Sequence, residues 1–133
     1  MVIDYINVLI NDAGWAWPEA ARQIFSSKGV QLLLVKNAEQ ALNILQHRRI
    51  HTAIVDMDSE TGGLTIIKVM RSGFPLLPCI LIAETAEQKL LSEALELDVF
   101  SVINKPVNIL LLQSQLHRLF LKKYGSSVFA LNC

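Results

Sequence analysis

The sequence predicts an α/β fold in which one parallel sheet of five strands is covered by helices on both faces. Five short aliphatic runs, each about the length of a strand, are spread along the 133 residues. Each run is followed by a segment in which apolar residues recur at helical spacing. Within the third run, Ala53, Ile54 and Val55 are continuously apolar, as in a strand that is buried on both faces. Repeated strand–helix units of this kind form right-handed crossovers, which makes the sheet parallel.

The first two units show how the helix boundaries are predicted. The run "YINVLI", Tyr5 to Ile10, is the first strand. Pro18 suits the first turn of the helix that follows, and Gly29 is typical of the residue just beyond its end. The second strand is Val30 to Val35, and Asn37 is expected to cap the second helix.

The other three units repeat this pattern. Their predicted strands are Thr52 to Asp56, Pro78 to Ala83 and Phe100 to Asn104. Their predicted helices are about Gly63 to Arg71, about Thr85 to Leu97, and Pro106 to about Tyr124. No internal linker interrupts the pattern. We therefore expect one domain over residues 1–124 and a short tail or linker over residues 125–133.

Composition excludes several classes of protein. Hydrophobic residues make up 52% of the chain and the formal net charge is zero, so nothing in the composition favours nucleic acid or anionic membrane as a partner. The apolar runs are shorter than the roughly 20 residues that a membrane-spanning helix needs. Cys79 and Cys133 have no metal or disulfide spacing, which indicates a reducing compartment. We expect a cytoplasmic protein.

Polar residues follow several of the predicted strands. In "TAIVDMDSETGG", Asp56 comes directly after an apolar run, so we expect it where burial stops. Asn11, Asp12, Ala83 and Lys105 also lie at or just past strand ends, and the carboxyl ends of parallel strands meet at one edge of the sheet. Neighbouring carboxylates repel unless a lysine or a metal ion offsets their charge, and Mg²⁺ suits such oxygen ligands.

This order and spacing resembles the receiver domains of two-component response regulators, over nearly the whole predicted domain. Members of that family end the first strand with an acidic pair, here Asn11 and Asp12. They end the third strand with a phosphoacceptor aspartate, here Asp56. They end the fifth with a Lys-Pro pair, here Lys105 and Pro106.

The resemblance implies a flavodoxin-like three-layer sandwich with strand order 2-1-3-4-5, and a signalling module rather than an enzyme. It implies that Asp56 attacks a phosphoryl donor, a sensor histidine kinase or a phosphotransfer protein. Asp12, Asp56 and the backbone carbonyl of Asp58 would hold Mg²⁺. Lys105 would pair with the acceptor carboxylate and then with the phosphoryl oxygens, so that metal and lysine balance the charge of the transferring group.

The sequence also departs from the family pattern. Ala83 stands where the family has threonine or serine, so the hydroxyl is missing. Glu84 stands where alanine or glycine is common, and its carboxylate would repel a phosphoryl donor or capture Lys105. Val102 stands where the family has its switch aromatic, and Asn11 replaces one acid. We expect phosphorylation of an atypical kind, slow and poorly coupled to conformation.

Two functions stay open: a phosphorylated receiver, or a pseudo-receiver that acts as an interaction or dimerisation module without phosphate. In the second case Asp56 is a structural acid paired with Lys105. The fifth predicted helix has four consecutive apolar residues, Ile109 to Leu112, which cannot all face inward. We expect Leu112 with Leu116 or Leu119 to form an exposed stripe for a homodimer or another chain. Alternatively, the tail covers that stripe.

Overall fold

Five strands and four helices make up the part of the chain that the computed structural model describes, residues 6–11, 29–58, 63–84 and 88–125. The strands are β1 (Ile6–Asn11), β2 (Val30–Val35), β3 (Thr52–Asp56), β4 (Cys79–Ala83) and β5 (Ser101–Asn104). The helices are α1 (Ala38–His47), α2 (Gly63–Gly73), α3 (Gln88–Glu96) and α4 (Ile109–Tyr124). The helix predicted from Pro18 lies outside the described residues. None of the four helices is long and apolar enough to span a membrane.

The sheet has the predicted architecture. All neighbouring strands are parallel and their order is β2-β1-β3-β4-β5, which confirms the predicted fold class and strand order. Every residue of β1, β3 and β4 is buried, whereas β2 and β5, at the two edges, are partly exposed. The carboxyl ends of all five strands therefore lie along one edge of the sheet.

Each face of the sheet has its own hydrophobic core. Alternate strand residues, including Ile10, Ile54 and Ile82, pack against α4 on one face. Their neighbours in sequence, including Leu9 and Val55, pack against α1, α2 and α3 on the other face. This arrangement follows from the two-residue period of a strand, which sends successive side chains to opposite faces.

Helix caps decide where two helices begin. The Asn37 side chain accepts a hydrogen bond from the Gln40 N–H at 2.8 Å, which confirms the predicted cap of α1. The start of α4 was predicted at Pro106, and that is wrong. The Asn108 side chain accepts from the Leu111 N–H at 3.1 Å, so the helix starts at Ile109. Strand ends differ from the predictions by no more than one residue.

The predicted exposed stripe of α4 is also wrong. Leu112, Leu116 and Leu119 are buried against the sheet, because they follow the i, i+4, i+7 spacing of the core face. The exposed leucines of this helix are Leu110, Leu111 and Leu121. Four consecutive apolar residues leave the rotational phase of a helix undetermined, and contact with the sheet fixes it.

A buried polar cluster ties α4 to the amino-terminal edge of the sheet. The Asn7 N–H donates to His51 Nδ1 at 3.1 Å, and the Asn7 side-chain amide donates to the Arg49 carbonyl at 2.8 Å. The Tyr124 hydroxyl donates to the His51 carbonyl. The imidazole also packs against Phe120 and Tyr124, with ring centroids 6.5 Å and 5.7 Å away. Because Nδ1 accepts a hydrogen bond, the cluster requires a neutral imidazole.

We expect His51 to make the domain less stable in mild acid. Burial and the charge of Arg49 lower the pKa of His51 from its ordinary value of 6.5. The unfolded chain therefore binds more protons than the folded one below about pH 6.5, so the free energy of unfolding falls as the pH drops through that range. Urea midpoints measured from about pH 7.5 to 5.5 should fall more steeply for wild type than for His51→Gln, whose amide oxygen can accept the same bond without titrating.

His47→Gln is the matched control, since His47 is exposed on α1. Its midpoints should follow those of wild type. Equal slopes in wild type and His51→Gln would remove His51 as the cause.

A side-chain clamp joins β1 to β3 at the carboxyl edge. The last backbone pair between these strands is Ile10 with Ile54. Beyond it, Asn11 Nδ2 donates to the Asp56 carbonyl at 2.9 Å, and Asn11 Oδ1 accepts from the Asp56 N–H at 2.7 Å. From the sequence, Asn11 was interpreted only as the loss of one member of the acidic pair. In the structure, its amide supplies both the donor and the acceptor that hold the Asp56 backbone.

We expect Asn11→Asp to destabilise the domain when divalent cations are chelated. An ionised aspartate cannot donate to the Asp56 carbonyl, so it would leave a buried acceptor facing a buried charge, at a cost of about 3 kcal/mol. Chemical denaturation at neutral pH measures that loss, and it should shrink in acid, where a protonated carboxyl can donate again. Asn43→Asp, the same change at an exposed position of α1, is the control. Equal stability of the two variants would show that the clamp contributes little.

Candidate functional site

The ends of two strands bring one lysine and two aspartates into contact. Asp56 is the last residue of β3, Asp58 follows two residues later, and Lys105 comes directly after β5. Lys105 Nζ lies 2.8 Å from Asp56 Oδ2 and 3.2 Å from Asp58 Oδ2. The Asp58 N–H donates to Asp56 Oδ1 at 2.9 Å. Asp56 and Lys105 thus meet at the carboxyl edge, where the sequence analysis expected them.

The structure confirms that burial stops at Asp56, which is the last buried residue of β3 and whose side chain has 0% of its surface exposed. Met57 is half-buried, and the side chain of Asp58 is 36% exposed. A carboxylate is rarely buried unless it is paired, and here Lys105 pairs with it. The backbone of Asp56 is held by Asn11 on one side and lies against Gly63 on another. A Cβ on Gly63 would be 2.5 Å from the Asp56 carbonyl oxygen, so only glycine fits at the start of α2.

The carboxylate of Asp58 takes part in the cluster, which was not predicted from the sequence. Only the backbone carbonyl of this residue was predicted to belong to the site. Asp58 Oδ2 accepts from Lys105 and also from the Glu84 N–H at 2.5 Å. The only sequence signal was a second aspartate two residues after Asp56, and the loop conformation that turns it back toward β4 cannot be read from that spacing.

Electrostatics keep Lys105 protonated. Partial burial alone would lower the pKa of Lys105, but hydrogen bonds and the charges of Asp56 and Asp58 outweigh that effect and raise the pKa above its usual value. The ammonium group thus carries its full charge through the neutral range. The cluster contains one cation shared between two carboxylates.

The positions that depart from the family pattern are placed as follows. Ala83 ends β4, is fully buried and offers no hydroxyl. Glu84 is exposed and forms no ion pair within the described part of the chain, so capture of Lys105 by Glu84 is not seen. Val102 is half-buried on β5 and packs with the core that includes α3. Asp58, rather than Glu84, is the additional carboxylate beside Lys105.

The donor set suits Mg²⁺ in its chemistry. Asp56 offers carboxylate oxygens and Asp58 a backbone carbonyl, and Mg²⁺ binds with few protein oxygens because it retains several waters. Asp12, the other expected ligand, lies outside the described residues. Among residues 6–11, 29–58, 63–84 and 88–125, no three His, Cys, Asp or Glu side chains are grouped so as to hold a metal ion. The described residues therefore offer part of a magnesium site, which needs further ligands.

Comparison with known protein families assigns most of this chain to one family. The profile of the response regulator receiver domain matches residues 8–117, which include most of β1, all of β2 to β5 and the first half of α4. Asp56 and Lys105 both lie within the matched residues.

Curated relatives agree with this match over part of their length. An NtrX-like response regulator of Rickettsia bellii is 29% identical over 106 residues, which are 77% of this chain and 22% of the relative. The corresponding protein of Rickettsia felis is 29% identical over 84 residues, which are 61% of this chain and 18% of the relative. The chain thus spans about a fifth of the length of these relatives.

Solved structures share the fold at low sequence identity. The signal receiver domain of an HD domain-containing protein from Pseudomonas fluorescens superposes with a TM-score of 0.80 at 20% identity, covering 92% of this chain and 99% of the other. A CheY-like receiver domain from Methanospirillum hungatei gives a TM-score of 0.77 at 19% identity, with the same coverage. These likenesses establish the flavodoxin-like receiver fold. Because the family profile matches most of its length, this chain belongs to the response regulator receiver domain family.

Proposed function

We propose that Asp56 accepts a phosphoryl group from a sensor histidine kinase or a phosphotransfer protein. The chain is a receiver domain of two-component signalling, and the proposal concerns the residue that it uses. One observation carries it: the Asp56 carboxylate is held between Lys105 Nζ at 2.8 Å and the Asp58 N–H at 2.9 Å, at the end of β3. A cytoplasmic location is part of the proposal.

The transfer involves one bond formed and one bond broken. A carboxylate oxygen of Asp56 attacks phosphorus in a phosphohistidine, and the P–N bond breaks as the new O–P bond forms. The electron pair of the broken bond stays on the imidazole nitrogen, which then takes up a proton. The product is an acyl phosphate on Asp56. Lys105 balances the charge that collects on the phosphoryl oxygens, and its raised pKa keeps it cationic in this role.

Mg²⁺ would be held by the carboxylates of Asp12 and Asp56 and by the backbone carbonyl of Asp58. When bound, the ion neutralises negative charge on the donor and on the acceptor. Asn11 contributes indirectly, because its two hydrogen bonds fix the backbone from which the Asp56 side chain projects.

The missing hydroxyl at Ala83 and the missing aromatic at Val102 support slow and weakly coupled phosphorylation. A phosphoryl group on Asp56 would receive no hydrogen bond from the Ala83 side chain, and β5 offers no aromatic ring at Val102 to change position. The phosphorylated state would consequently differ little in conformation from the unphosphorylated state.

We expect the full chain to gain the mass of one phosphoryl group when it is incubated with Mg²⁺ and acetyl phosphate. Intact mass spectrometry measures the gain, and brief treatment with hydroxylamine should reverse it because an acyl phosphate is cleaved by that nucleophile. Asp56→Asn and chelation with EDTA are the controls, and both should abolish the label. Equal labelling of wild type and Asp56→Asn would place the phosphoryl group elsewhere.

Exposed leucines support a second candidate function, an interaction module that needs no phosphate. They lie on α3 and α4, the helices that precede and follow β5 in the chain, which pack on opposite faces of the sheet. Leu95 of α3 is 82% exposed and Leu110 of α4 is 66% exposed. The others are Leu91, Leu111 and Leu121. Exposed apolar side chains on these two helices favour a protein interface, and a second copy of the chain is the simplest occupant.

If the exposed leucines of α3 and α4 form a homodimer interface, the double variant Leu95→Glu/Leu110→Glu should be monomeric while unphosphorylated wild type is dimeric. Two carboxylates would be buried unpaired in the interface, which strongly opposes association. Light scattering over a range of protein concentrations measures the change. Leu34→Glu is the matched control, because Leu34 is exposed on β2, at the opposite edge of the sheet from β5. A wild type that stays monomeric throughout rejects the homodimer.

A further inference from the structure

One oxygen of Asp58 joins the ends of two other strands. Asp58 Oδ2 accepts a hydrogen bond from the Glu84 N–H, just past β4, and an ion-paired one from Lys105 Nζ, just past β5. The side chain is only partly buried, so water could solvate it, yet it turns inward to these two donors. Contacts of an ionised acceptor with a cation and with an N–H are the stronger class of hydrogen bond.

The same two donors are the ones that a phosphoryl group on Asp56 would need. Lys105 Nζ contacts Asp56 Oδ2 and Asp58 Oδ2 at once, so a group bonded to Asp56 would place its oxygens close to the Asp58 carboxylate. Those oxygens carry nearly two negative charges and are stabilised by fixed donors and cations. Ala83 adds no hydroxyl to the set. Among the described residues, Asp58 already holds the charge and the N–H that would receive the new group.

The burial of Asp56 also requires the Asp58–Lys105 contact to open before a phosphoryl donor can reach the carboxylate. Its side chain is fully buried, whereas phosphorus must approach a carboxylate oxygen to about 3–3.5 Å before reaction. The Asp58–Lys105 contact lies on the exposed side of the cluster, because Lys105 is 21% and Asp58 36% exposed. A donor must therefore displace this contact, and the Asp58 charge also repels the incoming phosphoryl oxygens.

We infer that the Asp58 carboxylate is an internal competitor of the phosphoryl group, holding Lys105 and the Glu84 N–H in the unphosphorylated domain and thereby limiting phosphorylation of Asp56. The inference rests on the proposed function and concerns what sets its rate. It differs from the role of the Asp58 backbone carbonyl as a magnesium ligand, which side-chain substitutions leave in place. It also assigns the obstacle to Asp58, where the sequence alone pointed to Glu84.

Removing the Asp58 charge tests the inference in the full chain. Asp58→Asn keeps the size of the side chain and loses its charge, and the loss of one charge-assisted contact should raise the rate of labelling by acetyl phosphate roughly tenfold. Glu96→Gln removes a carboxylate at an exposed end of α3 and should leave the rate unchanged. Urea midpoints would verify that both variants are folded. A labelling rate in Asp58→Asn equal to or below that of wild type overturns the inference, and a lower rate would make the carboxylate an aid to transfer.

A second measurement separates this inference from the proposed function. Beryllium fluoride mimics a phosphoryl group on an aspartate without any transfer step, and its binding in the presence of Mg²⁺ can be followed through the Glu84 amide by NMR. Asp58→Asn should bind it roughly tenfold more tightly than wild type. Tighter binding without labelling by acetyl phosphate supports the competition and rejects phosphorylation. Equal binding in the two proteins rejects the competition whether or not Asp56 is labelled, and binding in neither protein rejects both.

Discussion

A carboxylate with no exposed surface keeps its charge only beside a cation, and Lys105 supplies that cation to Asp56. The two residues are 49 positions apart in sequence, and only the parallel order of β3, β4 and β5 brings their strand ends together. Replacement of Lys105 would take that counter-ion away from a fully buried carboxylate, whereas Lys105 would keep its pairing with Asp58 if Asp56 were replaced. The Asn11 clamp and the close contact of Gly63 serve the same end, since they fix the backbone that presents the carboxylate.

Membership of the family does not determine which charged and polar side chains surround Asp56. The parallel topology brings the ends of β3 and β5 close together, and with them Asp56 and Lys105. The side chains around these two residues do not determine that topology. Here the cation is shared with Asp58, the amide of Asn11 replaces an acid, and β4 ends in alanine. These local differences change the balance of charge at the site while the fold stays the same.

Sequence patterns predicted the strands well, although the burial of the strands differs. The limits of β3, which is buried throughout, and of β2, a partly exposed edge strand, were predicted residue for residue, because each is a short and mainly apolar run. The core face of α4 was predicted wrongly, since four consecutive apolar residues are compatible with more than one rotation of the helix. Asp56 and Lys105 were paired correctly from their strand ends. The Asp58 carboxylate and the Asn11 clamp were missed because each depends on one side-chain torsion and on a hydrogen-bond partner far away in sequence.

The missing side chain of Gly63 has a mechanical consequence. With the first turn of α2 seated directly on the Asp56 carbonyl, no compressible side chain lies between helix and strand end. Closely packed interiors transmit small displacements rather than absorb them. Any displacement of the Asp56 backbone, however small, would therefore reach α2 directly, and α2 contacts α1. If Asp56 is phosphorylated, this contact offers a route toward α1 and α2 that does not pass through Val102 on β5.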